Sequence, residues 1–487
     1  MNQILFGEIL FATLISVIGA SLLRIGSARL GVALTVQFSG IIGVLFISLT
    51  SVAALLFRQA NNVVAFSILS LGVLVLAFLL DKRRARIKEG LLCLAYSALA
   101  GAAVTFVVGF LVAPVLTFDS WRFLEIGSSV FGDGIPIDQI MSGVLGSYPI
   151  ALLSVEGLAG KLGMPFAASS LAAVSVLGLS GAFNVCAHPL SQSKRGFRVV
   201  TTVILIIGGA VSMYVTRVQL GYIGSHALAA AYYSIGVAAI FAPNAGFSLT
   251  GISSESARAS LLGVACAGAS LTRVEGPLTA CLLLVAAITY RGWSRRSIVI
   301  LMGWAFVVPA FWYGGLAILG ASTDILSPIR MVAMLSALGI PLLVAAFVKP
   351  SDPIPWFATL ALMTMAVAIV IMGSDSTSHL GASVSALAMN LGSKGLWGIT
   401  WWVVLPLAIL ALARINADSS ASSWTVVTFG FVLLILILGG IRDMPYRSGW
   451  GDSGNRMMVH VLPAFILLIF HAFNGREQEP LASTAIE

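Results

Sequence analysis

Residues Gly90–Leu116 read GLLCLAYSALAGAAVTFVVGFLVAPVL, 27 residues in succession without one charged side chain. A helix needs roughly 20 apolar residues to cross a hydrocarbon core about 30 Å thick, so this stretch is long enough to span. Comparable runs recur at Ile4–Leu23, Ile298–Leu319, Trp356–Gly373 and Val426–Gly440 with its flanks. Across all 487 residues the chain is 59% hydrophobic and 9% charged, with mean hydropathy +1.01. Soluble domains carry about 25% charged residues, so water is excluded as the main solvent and no large soluble domain is expected. The predicted fold class is all-α, a polytopic transmembrane bundle of about 13–15 spans. Its 49 glycines suit close helix approach in lipid.

Orientation follows from the strongest charge cluster, Asp81–Glu89 (DKRRARIKE), which the positive-inside rule places in the cytoplasm. No Lys or Arg precedes Ile4–Leu23, so that run reads as a retained span rather than a signal peptide. Alternating outward from the anchor puts 17 of the 27 basic residues inside and nine outside. The net charge of +8 is thereby a topological signal and no reason to expect a nucleic-acid partner. The expected external loops are Phe57–Asn62, Phe118–Tyr148, Arg217–His226, Thr272–Glu275, Ser322–Arg330, Gly373–Lys394 and Gly440–Met458. The chain reads as one transmembrane domain: additional N-terminal spans over residues 1–89, a core over 90–473 and a cytoplasmic tail over 474–487. Cys93, Cys186, Cys266 and Cys281 lie in apolar stretches at no metal-like spacing, which fits small buried residues.

Charged groups beside spans are expensive and mark function or interhelical pairing. Many gather in the expected external loops, among them Asp119, Arg122, Glu125, Asp133, Asp138, Arg273, Glu275, Arg447, Asp452 and Arg456. Such a mixed set suits an anionic ligand held by arginines beside a carboxylate base. Asp119 directly follows the long run Gly90–Leu116 and shares a helical face with Arg122 and Phe123; it is either a base or the N-cap of the next helix. Tyr148-Pro149 opens the following apolar segment, after the amphipathic stretch Phe131–Gly146, a surface helix or an ordinary connector. In Thr272-Arg273-Val274-Glu275-Gly276-Pro277, Glu275 is placed to meet the amides of a new helix, and Arg273 is the phosphate candidate. Asp452, Asn455 and Arg456 precede the last span, where Arg456 either meets a phosphate or snorkels. The five histidines are scattered, and no HExxH, Walker or GxSxG motif is present.

In this order, the pieces resemble the GT-C superfamily of membrane glycosyltransferases, which use polyprenyl-phosphate sugars. The resemblance rests on Asp119-Ser120-Trp121-Arg122-Phe123, Tyr148-Pro149, Thr272-Arg273-x-Glu275-Gly276 and Asn455-Arg456 ahead of a span with Pro463. It implies a GT-C-like bundle in the plasma (inner) membrane whose active site faces the external or periplasmic side. It implies further that Asp119 is the base and that Arg273 and Arg456 bind lipid phosphate. Arg122, Glu125, Tyr148, Glu275, Arg447, Asp452 and Asn455 would complete the substrate site. The implied partners are the bilayer, a polyprenyl-phosphate sugar donor and a glycan or lipid acceptor, in cell-envelope or cell-wall biogenesis. No cofactor is required by this scheme, and Asp119 with Glu125 or Asp133 is the set to hold a divalent cation if one takes part. The alternatives are an O-antigen-type polymerase or ligase, and a transporter or flippase of lipid-linked sugars.

Overall fold

The computed structural model describes residues 2–26, 31–56, 62–84, 86–112, 114–115, 124–127, 150–164, 167–186, 195–222, 226–242, 254–290, 292–318, 327–347, 377–415, 419–441 and 444–474. Asp119, Arg122, Asp133, Tyr148 and the expected span Trp356–Gly373 lie outside them. The chain is all-α and polytopic, with no β-strand among the described residues. Lipid offers backbone groups no hydrogen-bond partner, so an apolar chain closes its own bonds within helices. Nine described helices are long and apolar enough to cross a membrane, or ten if one bent pair forms a single span. Three shorter apolar helices accompany them.

Contacts divide the chain into two compact units, Met1–Leu284 with Gly292–Pro350, and Val285–Arg291 with Ser351–Glu487. The first contains α1 (Asn2–Gly26), α2 (Val32–Leu56), α3 (Asn62–Arg83), α4 (Ile87–Leu111), α5 (Ile150–Lys161), α6 (Ala168–Cys186), α7 (Arg195–Ser212), α8 (Tyr214–Gly221), α9 (His226–Phe241) and α10 (Ser254–Thr272). It also takes the start of α11 (Gly276–Tyr290), all of α12 (Arg295–Ile318) and α13 (Pro328–Phe347). Residues 1–89, read as additional spans, pack in this unit: α1 lies against α2, α4 and α6.

Small residues let these helices touch. An ideal Cβ on Gly19 of α1 would collide with the Ser39 carbonyl of α2, and one on Gly43 with the Ile15 carbonyl. Gly178 and Gly181 of α6 likewise seat Ile41 and Phe38. Gly19→Val should therefore force α1 and α2 apart and cost about 1–3 kcal/mol. Gly72, with nothing within 4 Å of its Cβ position, should accept valine unchanged. Thermal unfolding of the two variants in detergent checks the contrast, and equal midpoints would refute it.

The register of these contacts fixes two ends of the first unit. Gly109 near the end of α4 meets Leu5 of α1 and Ser169 of α6. Pairing of Ile15 with Gly43 and of Gly19 with Ser39 makes α2 antiparallel to α1. Ala168 and Ala227 line one recess, so α6 and α9 start together. Gly268 packs on Tyr232, and Arg258 reaches Ala242, so α10 runs antiparallel to α9 and ends where α9 begins. At the opposite end Arg24, in the last turn of α1, bonds Asp81 of α3 and Glu89 of α4.

Three features differ from the sequence reading. Arg217–Gly221 was expected in a loop but belongs to α8, which leaves α7 at a bend of 107°. The Arg217 guanidinium lies over the Tyr214 ring, with 5.6 Å to the centroid, and the Thr216 hydroxyl donates to the Ala210 carbonyl at 2.6 Å. Residues 377–394 of the expected loop Gly373–Lys394 are helical, because Leu380, Val384, Ala386 and Leu387 give an apolar pattern that serines and glycines dilute. Arg258, one of the 17 basic residues expected on the inner side, in a loop over Asn244–Arg258, is instead 1% exposed, and its guanidinium donates to carbonyls of Ala239 and Ala242 at the end of α9. A cation there also meets the negative end of the helix dipole.

The second unit comprises Val285–Arg291, α14 (Thr377–Met389), α15 (Thr400–Arg414), α16 (Ser420–Ile441) and α17 (Ser453–Asn474). Its core is aromatic: Trp401 packs edge-on against Trp397 and Phe465, and Phe465 against Phe429. Wider π-helical turns interrupt α12 at Met302–Val307, follow α14 at Asn390–Lys394 and interrupt α16 at Val426–Gly430.

Candidate functional site

Two pieces of the predicted site lie in the first unit, both at the end marked by Glu8. The turn between α10 and α11 carries Arg273 and Glu275, whose Nε and Oε1 are 2.9 Å apart, with side chains 17% and 10% exposed. The turn is held tightly from behind. A Cβ on Gly276 would strike the Ala269 carbonyl, and the Tyr313 hydroxyl of α12 donates to the Ser270 carbonyl at 2.9 Å. Glu275 meets the new helix through its backbone, accepting from the amides of Leu278 and Thr279, while its carboxylate takes Arg273. The ion pair aims the guanidinium and lowers its net charge.

The second piece is the chain flanking Asp119. Four residues earlier, the Val115 amide donates to the Gly221 carbonyl at 2.8 Å. Six residues after Asp119, Glu125 is exposed on the helical turn 124–127. That turn rests on α5, because a Cβ on Gly127 would lie 2.5 Å from the Leu153 carbonyl. Both flanks thus come to the end where Arg273 and Glu275 sit.

The same end holds two carboxylates that stand in apolar helices, Glu8 of α1 and Glu156 of α5. Glu8 Oε2 accepts the Ser170 amide at 3.0 Å, and Glu156 Oε2 accepts the Ala167 amide at 3.2 Å. Both serve the first turn of α6, whose amides have no partner within the helix. Glu8 is 2% exposed and Glu156 fully buried. Their signal was the cost of a carboxylate in an apolar run; their partners, far along the chain for Glu8, were not readable.

Arg447, Asp452, Asn455 and Arg456 belong to the second unit, between α16 and α17. Asp452 is the N-cap of α17: its Oδ2 accepts the amides of Gly454 and Asn455 at 2.9 and 3.4 Å, and its Oδ1 accepts that of Arg447. Asn455 is fully buried. It accepts the Trp397 indole N–H at 2.6 Å and donates to the carbonyls of Gly395 and Trp450, both at 3.2 Å. Asn390, absent from the sequence reading, donates to the Arg447 carbonyl at 3.0 Å and accepts from the Gly449 amide at 2.6 Å. Asp452 and Asn455 therefore brace this loop from inside. Arg447 is exposed, whereas Arg456, in the first turn of α17, is half-buried with its Nε enclosed.

Asn455→Ala should lower stability by roughly 1–3 kcal/mol, since it orphans a buried indole N–H and two carbonyls. Thermal unfolding measures the loss. An unchanged midpoint would mean that water or another group satisfies Trp397. Among the described residues no three or more His, Cys, Asp or Glu side chains come together in a metal-binding group. No family model, curated protein or solved structure matches the chain.

Proposed function

We propose that the chain is a membrane glycosyltransferase of GT-C type, which moves a sugar from a polyprenyl-phosphate donor to an acceptor hydroxyl on the outer face of the plasma membrane. The observation that carries the reading is that the described residues on both sides of Asp119, Val115 and 124–127, lie at the same end of the first unit as the Arg273–Glu275 turn. The reading takes a base and a phosphate-binding cation from distant parts of the sequence, and the described residues on either side of Asp119 lie at the same end as Arg273. A lipid-linked donor reaches that end by lateral diffusion.

In the reaction the acceptor oxygen attacks the anomeric carbon and its proton passes to the Asp119 carboxylate. The bond from that carbon to the phosphate oxygen breaks, and polyprenyl phosphate leaves with the electron pair. Arg273 offsets the charge that grows on the leaving group. One displacement inverts the anomeric centre, in contrast to a retaining route, which needs a close carboxyl pair. Incubation of the purified protein with a polyprenyl-phosphate sugar and an acceptor extract should release free polyprenyl phosphate. Donor recovered intact would refute the reading.

A carrier of lipid-linked sugars is the second reading. The 107° bend between α7 and α8 and the buried Glu8 and Glu156 favour it, since transporters use broken helices and embedded charge. A carrier in vesicles would move the donor across the bilayer with its sugar still attached.

A further inference from the structure

The opposite end of the first unit has a charge arrangement that the proposed reaction does not use. The segment Asp81–Glu89 holds five basic and two acidic residues. Both acids turn towards the buried Arg24, which is 3% exposed: Asp81 takes Nη2 at 2.7 Å and Nε at 3.3 Å, and Glu89 takes Nη1 at 2.9 Å. Arg86 adds a looser approach to Glu89 at 4.0 Å. Lys82, Arg83, Arg84 and Lys88 remain exposed, and none of them is in an ion pair among the described residues. A guanidinium drawn from another helix has thus taken the counter-charges that would otherwise neutralise the rim.

Directly below, a small cleft opens between α1, α3 and α4. Its apolar lining includes Leu74, Ala77, Phe78, Leu91 and Leu94, and its polar lining includes the mutually paired Arg24 and Asp81. Phe78 and Leu91 are half or more exposed, so the cleft opens to the lipid side of the helices. A cationic rim above an apolar, laterally open slot matches a molecule with an anionic head and a hydrocarbon tail. The dipole of α3 accounts for a cation in its last turn, but not for Lys88, which stands at the start of α4.

We propose that this end binds an anionic membrane phospholipid, with its headgroup phosphate on Lys82, Arg83 and Lys88 and one acyl chain in the cleft. Each basic residue at a membrane surface favours an anionic lipid by about 1 kcal/mol before screening. Three together should give a preference of at least about tenfold over a zwitterionic lipid.

Native mass spectrometry of the delipidated full chain, titrated with phosphatidylglycerol, phosphatidylcholine or soluble glycerophosphoglycerol, tests this. Phosphatidylglycerol should be retained about tenfold better than phosphatidylcholine, and the chainless headgroup should not be retained. The triple variant Lys82→Gln/Arg83→Gln/Lys88→Gln should lose the preference, whereas Arg295→Gln/Arg296→Gln at another basic cluster should keep it. Leu94→Trp, which narrows the cleft and leaves the rim intact, should weaken retention of phosphatidylglycerol. Equal retention of the two lipids, a preference that survives the triple variant, or binding of the headgroup alone would each overturn the proposal.

Discussion

Replacing Asp119 by alanine should slow sugar transfer by about 10²–10⁴-fold, the usual contribution of a positioned general base, while leaving the protein as extractable and as thermally stable as before. An acceptor hydroxyl is a poor nucleophile until its proton has somewhere to go. Asp119 stands four residues beyond Val115, whose amide is fixed on Gly221. Asp119→Asn makes the sharper variant, since it keeps the side-chain shape and removes the base. Release of polyprenyl phosphate by purified wild type and variant gives the readout. Turnover near the wild-type rate would take the base role from Asp119 and return it to the N-cap reading. A large fall in unfolding temperature with proportional loss of turnover would point the same way.

Arg24→Ala should be the most damaging single substitution to folding, at about 3–5 kcal/mol, because it leaves Asp81 buried without its counter-charge. The guanidinium joins three helices: it sits on α1, bonds α3 through Asp81 in a two-point contact and reaches α4 through Glu89. Arg84 closes the cluster by donating to the Arg24 carbonyl at 3.3 Å. Removing both charged partners is a different experiment. In Arg24→Met/Asp81→Leu no buried charge is left without a counter-charge, since Glu89 reaches water and keeps Arg86 within 4.0 Å, so much of the stability should return. Unfolding midpoints of the three proteins give the comparison. A double variant as unstable as the single one would show that the packing of these side chains, and not their charge, holds the helices.

The helical class was legible because an apolar run leaves the backbone no other way to satisfy its hydrogen bonds. Gly90–Leu116 and Ile298–Leu319 match α4 and α12 to within a turn or two. What escaped the reading is whatever an average over residues hides. The π turns at Met302–Val307 and Val426–Gly430 fall inside uniformly apolar stretches, and the bend at Met213 carries no proline to announce it. At the candidate site, residue type alone did not separate bracing groups from the rest. Asp452 and Asn455 look as polar as Arg447 and Arg456 in the sequence, yet the first two turn inward to an N-terminus and an indole. The Arg273–Glu275 pair was not read: the sequence offered the Glu275 carboxylate to the amides of the next helix, whereas the backbone carbonyl takes those amides and the carboxylate takes Arg273. The pairing of Glu8 with Ser170 spans 162 residues and has no local signature.

The Arg24 cluster also dictates an order of events during synthesis. Asp81 follows Arg24 by 57 residues in the chain. At about 5–20 residues per second, its translation completes roughly 3–11 s later. Until then the first helix carries an uncompensated cation in its last turn, which must wait at headgroup depth among phosphates and water. Arrival of the α3–α4 hairpin supplies both carboxylates and lets the helix settle. Assembly of this end is thus timed by translation, and a ribosome pause between residues 24 and 81 would lengthen the wait in direct proportion.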